Sequence, residues 1–147
     1  VGGAGPFFDA DHVARGAAFG DLDDDGDLDV VVTMMDGRPA LLDNEAPDPG
    51  SWVRLDLVGR RSNRGAIGAV VEVVADGRTI TRQVKGGGSY LSSNDPRLLV
   101  GLGRAARIDR VVVRWPSGAR SAMKDLAPRR TYRVREPLAA APSGRIE

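Results

Sequence analysis

Six aspartates fall between positions 21 and 29: Asp21, Asp23, Asp24, Asp25, Asp27 and Asp29, with Gly26 among them. A run of like charge repels itself and ordinarily stays solvated. Here the spacing is strict, with Asp at relative positions 1, 3, 5 and 9 and Gly at 6. Carboxylates on alternating residues of a tight loop converge on one point, and Gly26 tolerates the positive φ that such a turn needs. The chemistry this permits is capture of a hard divalent cation by oxygen ligands, and calcium is the expected ion. The expected ligands are the side chains of Asp21, Asp23, Asp25 and Asp29 with the backbone carbonyl of Asp27; Asp24 and the side chain of Asp27 are expected to point outward. The loop is not an EF-hand, because its twelfth position is Val32 rather than Glu and a strand rather than a helix follows. The competing reading is an acidic turn without metal. Four converging carboxylates beside an apolar strand are costly to leave unneutralised, which favours the ion.

Other chemistry is sparse. The only His is His12, and Ser89, Ser92 and Ser93 have no base nearby in sequence. The absence of Cys excludes disulfides, zinc ribbons and thiol catalysis. The clustered carboxylates look committed to metal, and calcium activates water poorly compared with zinc. A non-enzymatic protein is therefore expected. The Gly pattern from Gly101 to Ala106 follows a strand as a dinucleotide loop does, but a β pattern begins at Ile108 where a helix is required. Gly86, Gly87 and Gly88 lack the Lys-Ser/Thr partner of a phosphate loop. Many arginines lie beyond residue 59, and Arg64, Arg82 and Tyr90 are the candidate contacts for an anionic sugar or a partner. With aromatics at 5%, stacking on single-stranded nucleic acid is disfavoured. A solvated basic face is the default against which such binding is weighed.

The elements that must position these residues read as strands. Hydrophobic residues are 41% and charged residues 28%, as in globular chains, and 19 Gly with 9 Pro suit short strands joined by turns. No apolar run reaches the roughly 18 residues needed to span a bilayer, so no membrane insertion is expected. There is no starting Met or leader, so a mature form or an excised piece is expected. Residues 1–50 carry twelve acidic and two basic side chains, and residues 51–147 carry eight acidic and nineteen basic. The near-neutral total of +1 thus hides two halves of opposite sign, which suggests different modules or electrostatic docking of one on the other. Alternation and turn signals predict strands at 13–19, 28–33 and 39–43. A Pro/Gly-rich boundary follows at 45–50, then strands at 52–58, 67–75, 78–84, 98–102, 108–115, 120–124 and 131–135. Hairpin turns are expected at Asp36-Gly37 and Asp76-Gly77.

Two resemblances follow. The stretch Arg15-Gly-Ala-Ala-Phe-Gly-Asp-Leu-Asp-Asp-Asp-Gly-Asp-Leu-Asp-Val30, with Leu41-Leu-Asp-Asn44, resembles an FG-GAP (VCBS-type) repeat, the calcium-carrying blade unit of integrin-like propellers. Trp52-Val-Arg-Leu55, Ser62-Asn-Arg-Gly-Ala-Ile-Gly-Ala69, the Gly86–Pro96 loop, Gly101-Leu-Gly103 and Val113-Arg-Trp-Pro-Ser-Gly118 resemble the ASPIC/UnbV module. That module follows FG-GAP repeats in secreted bacterial proteins and in the cartilage acidic protein family. The resemblance implies an all-β chain: a propeller-blade-like segment at 1–46, a linker at 47–50, a β-sandwich-like domain at 51–136 and a tail at 137–147. It implies an extracellular location and calcium as cofactor. A lone blade cannot bury both faces. It is expected to be the end of an array, to dock on the β module, or to be completed by another chain. The expected function is a calcium-stabilised structural or adhesion module, self-assembling head to tail into filaments or binding other extracellular proteins or glycans. The alternatives are a carbohydrate- or polyanion-binding module and an accessory part of a larger enzyme.

Overall fold

β-Branched runs bounded by Gly, Asp and Pro set most of the strands. The computed structural model describes residues 5–35, 37–48, 50–88 and 90–138. Residues 1–4, Asp36 of the expected hairpin turn, Pro49 of the expected linker, Ser89 and residues 139–147 of the expected tail lie outside these. After a 3-10 turn at Pro6–Asp9, three strands form an antiparallel meander: β1 (Ala14–Gly20), β2 (Asp29–Met34) and β3 (Ala40–Leu42). Seven more follow: β4 (Ser51–Val58), β5 (Val70–Ala75), β6 (Arg78–Gln83), β7 (Leu98–Gly103), β8 (Ile108–Arg114), β9 (Arg120–Leu126) and β10 (Arg130–Arg135). They form a sheet of order β10-β4-β7 and a second of order β6-β5-β8-β9. Among the described residues no helix is long and apolar enough to cross a membrane.

These two sheets enclose the core. Val53, Leu55 and Leu57 of β4 pack with Val71 and Val73 of β5, Val111 and Val113 of β8, Val100 of β7 and Val134 of β10. The alternation that predicts one buried face on each strand is met in β5 and, at Val111 and Val113, in β8, whereas β4 buries four residues in a row, Trp52 to Leu55. The fold is all-β and the larger part is a β-sandwich, as expected. One strand begins later than predicted. Residues 67–69 belong to a turn: the Asn63 amide donates to Ile67 O (2.9 Å) and Ile67 N donates to Asn63 Oδ1 (2.8 Å). The left-handed Ala66 and Gly68 keep the chain out of the ladder until Val70.

β10 runs parallel to β4, with Arg133 opposite Asp56 and Arg135 opposite Val58. Glu136 extends that ladder by donating its N–H to Val58 O (2.9 Å). Its side chain, 1% exposed, enters the loop after β4. Oε2 accepts from the amides of Arg60 (2.7 Å), Arg61 (2.8 Å) and Ser62 (2.8 Å), while Oε1 accepts from the Ser62 and Ser117 hydroxyls. Burial alone would push this carboxyl up, but the donors from Ser117, Ser62, Arg60 and Arg61 outweigh it and hold the group at about 2, below its ordinary 4.5.

A depressed native pKa stabilises the fold above the unfolded value, and that stability drains as pH falls through the native one. Glu136 should therefore contribute in full above about pH 4.5 and lose its contribution on acidification toward pH 2. Glu136→Gln is expected to lower stability at neutral pH by about 2 kcal/mol, since hydrogen bonds to a charged acceptor are replaced by weaker ones. Urea midpoints should fall less for the variant than for the parent between about pH 5 and pH 3. Parallel falls would contradict the assignment.

Candidate metal centre

The β1–β2 ladder ends with Gly20 opposite Asp29, so the hairpin delivers Asp21 and Asp29 to the same end of the sheet. The intervening loop turns through left-handed conformations at Asp24 (φ 68°) and Gly26 (φ 103°). Its amides point inward onto its own carboxylates. Asp25 N donates to Asp23 Oδ1 (3.2 Å), Asp27 N to Asp25 Oδ1 (2.9 Å) and Gly26 N to Asp21 Oδ2 (3.1 Å). Each of the three carboxylates retains a second oxygen. Asp21, Asp23 and Asp25 each bring one oxygen to within 4.8 Å of the others. Asp21 is buried and its Oδ1 has no hydrogen-bond partner. A buried orphan oxygen is rare in folded chains, and an all-oxygen donor set is what a hard cation takes. The residues therefore fit calcium.

The other expected ligands are placed differently. Asp29 is buried, and both its oxygens already accept amide hydrogens, Oδ2 from Leu22 (2.8 Å) and Oδ1 from Asn44 (3.0 Å). It clasps the start of the loop to the segment after β3. Burial would raise its carboxyl, but those two amides and Asp43 bring it below its ordinary value. The Asp27 side chain does not point outward as expected: Oδ2 accepts from Ala46 N (3.3 Å) and Oδ1 is buried without a partner. Burial raises the Asp27 carboxyl against the opposing Ala46 amide, and the charges of Asp25, Asp29 and Asp23 add to the rise.

The larger correction concerns Arg54. Asp24 is exposed and stands apart from the Asp21, Asp23 and Asp25 cluster, and strand alternation opposite Val53, Leu55 and Leu57 would put Arg54 on the solvent side. Arg54 is instead 1% exposed. Its guanidinium bridges Asp21 and Asp24, and it sits 5.4 Å from the centroid of the Trp52 ring. The hydrogen bond from Arg54, and then its charge, hold the Asp24 carboxyl below the usual range. Arg97 adds a longer contact to Asp24 (3.9 Å) while paired with Asp95 (2.6 Å). The aspartate loop is thus seated on the outer face of β4, and the acidic half docks on the basic half within one chain.

Gly26 lies on the buried indole of Trp52. A Cβ there would fall 1.9 Å from Trp52 Nε1, so this position needs glycine for space as well as for its φ. Trp52, Arg54 and Arg97 were outside the expected site because no short-range spacing links them to the loop. The candidate contacts of the basic half are not brought together either. Arg64 lines a cleft with Arg60, Arg133 and Arg135, and Arg82 and Tyr90 are exposed outside its lining.

Gly26→Ala is expected to cost at least about 2 kcal/mol, from the left-handed φ and the clash with Trp52. Arg54→Ala is expected to cost about 3 kcal/mol because it strands the buried Asp21 carboxylate. Chemical denaturation of both variants measures this; a loss under about 0.5 kcal/mol in Arg54→Ala would mean that the loop does not rest on that ion pair.

A search of the curated proteins finds no match. The family described as ASPIC and UnbV matches residues 59–141, more than half of the chain, and that range covers strands β5 to β10 and the loop held by Glu136. The chain belongs to the ASPIC and UnbV family.

Proposed function

We propose that this chain is a non-enzymatic, calcium-stabilised extracellular module, in which an ion in the aspartate loop holds the acidic meander against the ASPIC/UnbV sandwich and leaves the assembled surface for structural or adhesive contacts. The observation that carries this reading is the buried, unpartnered Asp21 Oδ1 beside the converging oxygens of Asp23 and Asp25. Asp21, Asp23 and Asp25 would hold the ion, with Asp27 Oδ1 as a further free oxygen. Calcium bound there would neutralise carboxylates that the single guanidinium of Arg54 leaves in excess. Asp29 would keep its place as the clasp to Leu22 and Asn44, and Arg54 would tie the loaded loop to β4.

The meander also supports the FG-GAP-type blade reading. Propeller blades have four strands, and this one has three. Along the free edge of β1 runs the segment before β7: Asp95 N donates to Phe19 O (3.0 Å), and Phe19 N donates to Asn94 Oδ1 (3.1 Å). This favours completion of the blade by its own chain. Head-to-tail filaments joined through the acidic loop would require Arg54 to leave Asp21 and Asp24, so a module closed in cis is the better-supported form.

Melting the chain with calcium and with chelator tests the proposal. Extracellular calcium modules bind in the range of about 0.1–1 mM, and a free concentration about 100 times the dissociation constant would add about 2.7 kcal/mol. The melting temperature is expected to rise with calcium, and Asp23→Ala with Asp25→Ala is expected to abolish the rise. An unchanged melting temperature in chelator would end the calcium reading. Sedimentation is expected to give a monomer in both conditions.

A further inference from the structure

Along the outer face of β4 the side chains of Trp52, Arg54, Asp56 and Val58 follow one another. The aspartate loop covers the first two. Beyond them lies a cleft of about 760 Å³ between β4, β10 and the loop that follows β4. Four exposed arginines line it, Arg60 and Arg64 from the loop and Arg133 and Arg135 from β10. Arg133 is paired with Asp56 (2.6 Å). Arg60, Arg64 and Arg135 are in no ion pair among the described residues. One strand face therefore neutralises its buried arginine with aspartates and ends in three guanidinium groups that, among the described residues, have no ion-pair partner.

The loop that presents Arg60 and Arg64 is held rigidly. Gly59 N donates to Arg64 O (3.0 Å), and a Cβ on Gly59 would fall 2.0 Å from Asn63 O. The Glu136 carboxylate fastens the amides of Arg60, Arg61 and Ser62 from inside. That carboxylate is engaged by backbone amides and hydroxyls, so it does not pair with the guanidinium groups above it. A site whose backbone is ordered before binding loses little conformational freedom when a ligand arrives.

We propose that this cleft binds a polysaccharide carrying sulfate or carboxylate groups, with Arg60, Arg64 and Arg135 each engaging an oxyanion. The guanidinium fork matches planar and tetrahedral oxyanions with paired N–H donors. Among the described residues no aromatic ring lines the cleft, so base stacking is not on offer. Among the described residues only Leu57, Val58 and Pro96 supply apolar side chains to it, which leaves no groove for an amphipathic helix. Cations spaced around a hydrophilic floor suit a ligand whose charges sit apart on a hydrophilic backbone.

Titration calorimetry on the whole chain at low salt, with calcium present, tests this using heparin as the sulfated probe and polygalacturonate as the carboxylated one. Binding to at least one is expected, weakening as salt rises. R60A/R64A is expected to reduce affinity at least tenfold, and R78A/R120A, an equal charge change on the other sheet, less than twofold. Arg64→Gln alone, which leaves the loop carbonyl in place, is the second arm and is expected to weaken binding about threefold with an unchanged melting temperature. The proposal is overturned by no heat with either polysaccharide, by equal losses in the two double variants, or by tighter binding of polyglutamate or duplex DNA.

Discussion

The burial of the Arg54 guanidinium on the outer face of β4 is the constraint from which the arrangement of the two halves follows. A buried cation is tolerable only when paired and hydrogen-bonded. Asp21 and Asp24 provide that pairing from across the chain, and the Trp52 ring provides a flat apolar neighbour. The dependence is mutual. The aspartate loop concentrates negative charge that no ion pair with the described residues of its own meander offsets, and it finds Arg54 and Arg97 on the sandwich. Gly26 makes the approach possible, since any side chain there would collide with the indole. The opposite charges of the two halves are thus resolved inside one molecule.

Glu136 solves the inverse problem at the other end of the same strand. Its negative charge is buried without any cation, surrounded by three amides and two hydroxyls. Dipoles aimed at the carboxylate stabilise it strongly enough to hold it ionised in spite of burial. The consequence is architectural. The loop after β4 is fastened to the end of β10, and the two strands cannot separate without exposing that set of donors. β4 is in this sense anchored at both ends by buried charge, one ion pair under the aspartate loop and one carboxylate inside the neighbouring turn.

Between these anchors the outer face of the sheet divides into a covered part and an open part. The covered part holds Trp52 and Arg54 of β4, just before the residues 59–141 that the family matches, with the aspartate loop lying over them. The open part keeps Arg60, Arg64 and Arg135, which have no acidic partner among the described residues. The asymmetry of charge along the sequence therefore has two fates: some of it holds the halves together, and some of it remains available at the surface.

Local patterns carried much of the fold. The alternation in β4, β5 and β8 names the core residues, because a strand sends successive side chains to opposite faces. The Asp spacing likewise identifies Asp21, Asp23 and Asp25 as convergent, because a loop of nine residues has few ways to arrange them. Ile67 reads as a strand residue because its neighbours are apolar, while the Asn63 side chain that bends the chain there competes through hydrogen bonds the pattern does not register. Alternation also tells which side chains leave the core but not what covers them. Arg54 and Trp52 satisfy the outward pattern and are nevertheless buried, because their partners lie about thirty residues away in sequence. Glu136 closes on amides more than seventy residues upstream. Sequence alone determined which strands form, which faces are apolar and which carboxylates can meet. Tertiary structure alone decided which charges are buried together, because the cost of burying a charge depends on partners that only the folded chain brings within hydrogen-bond distance.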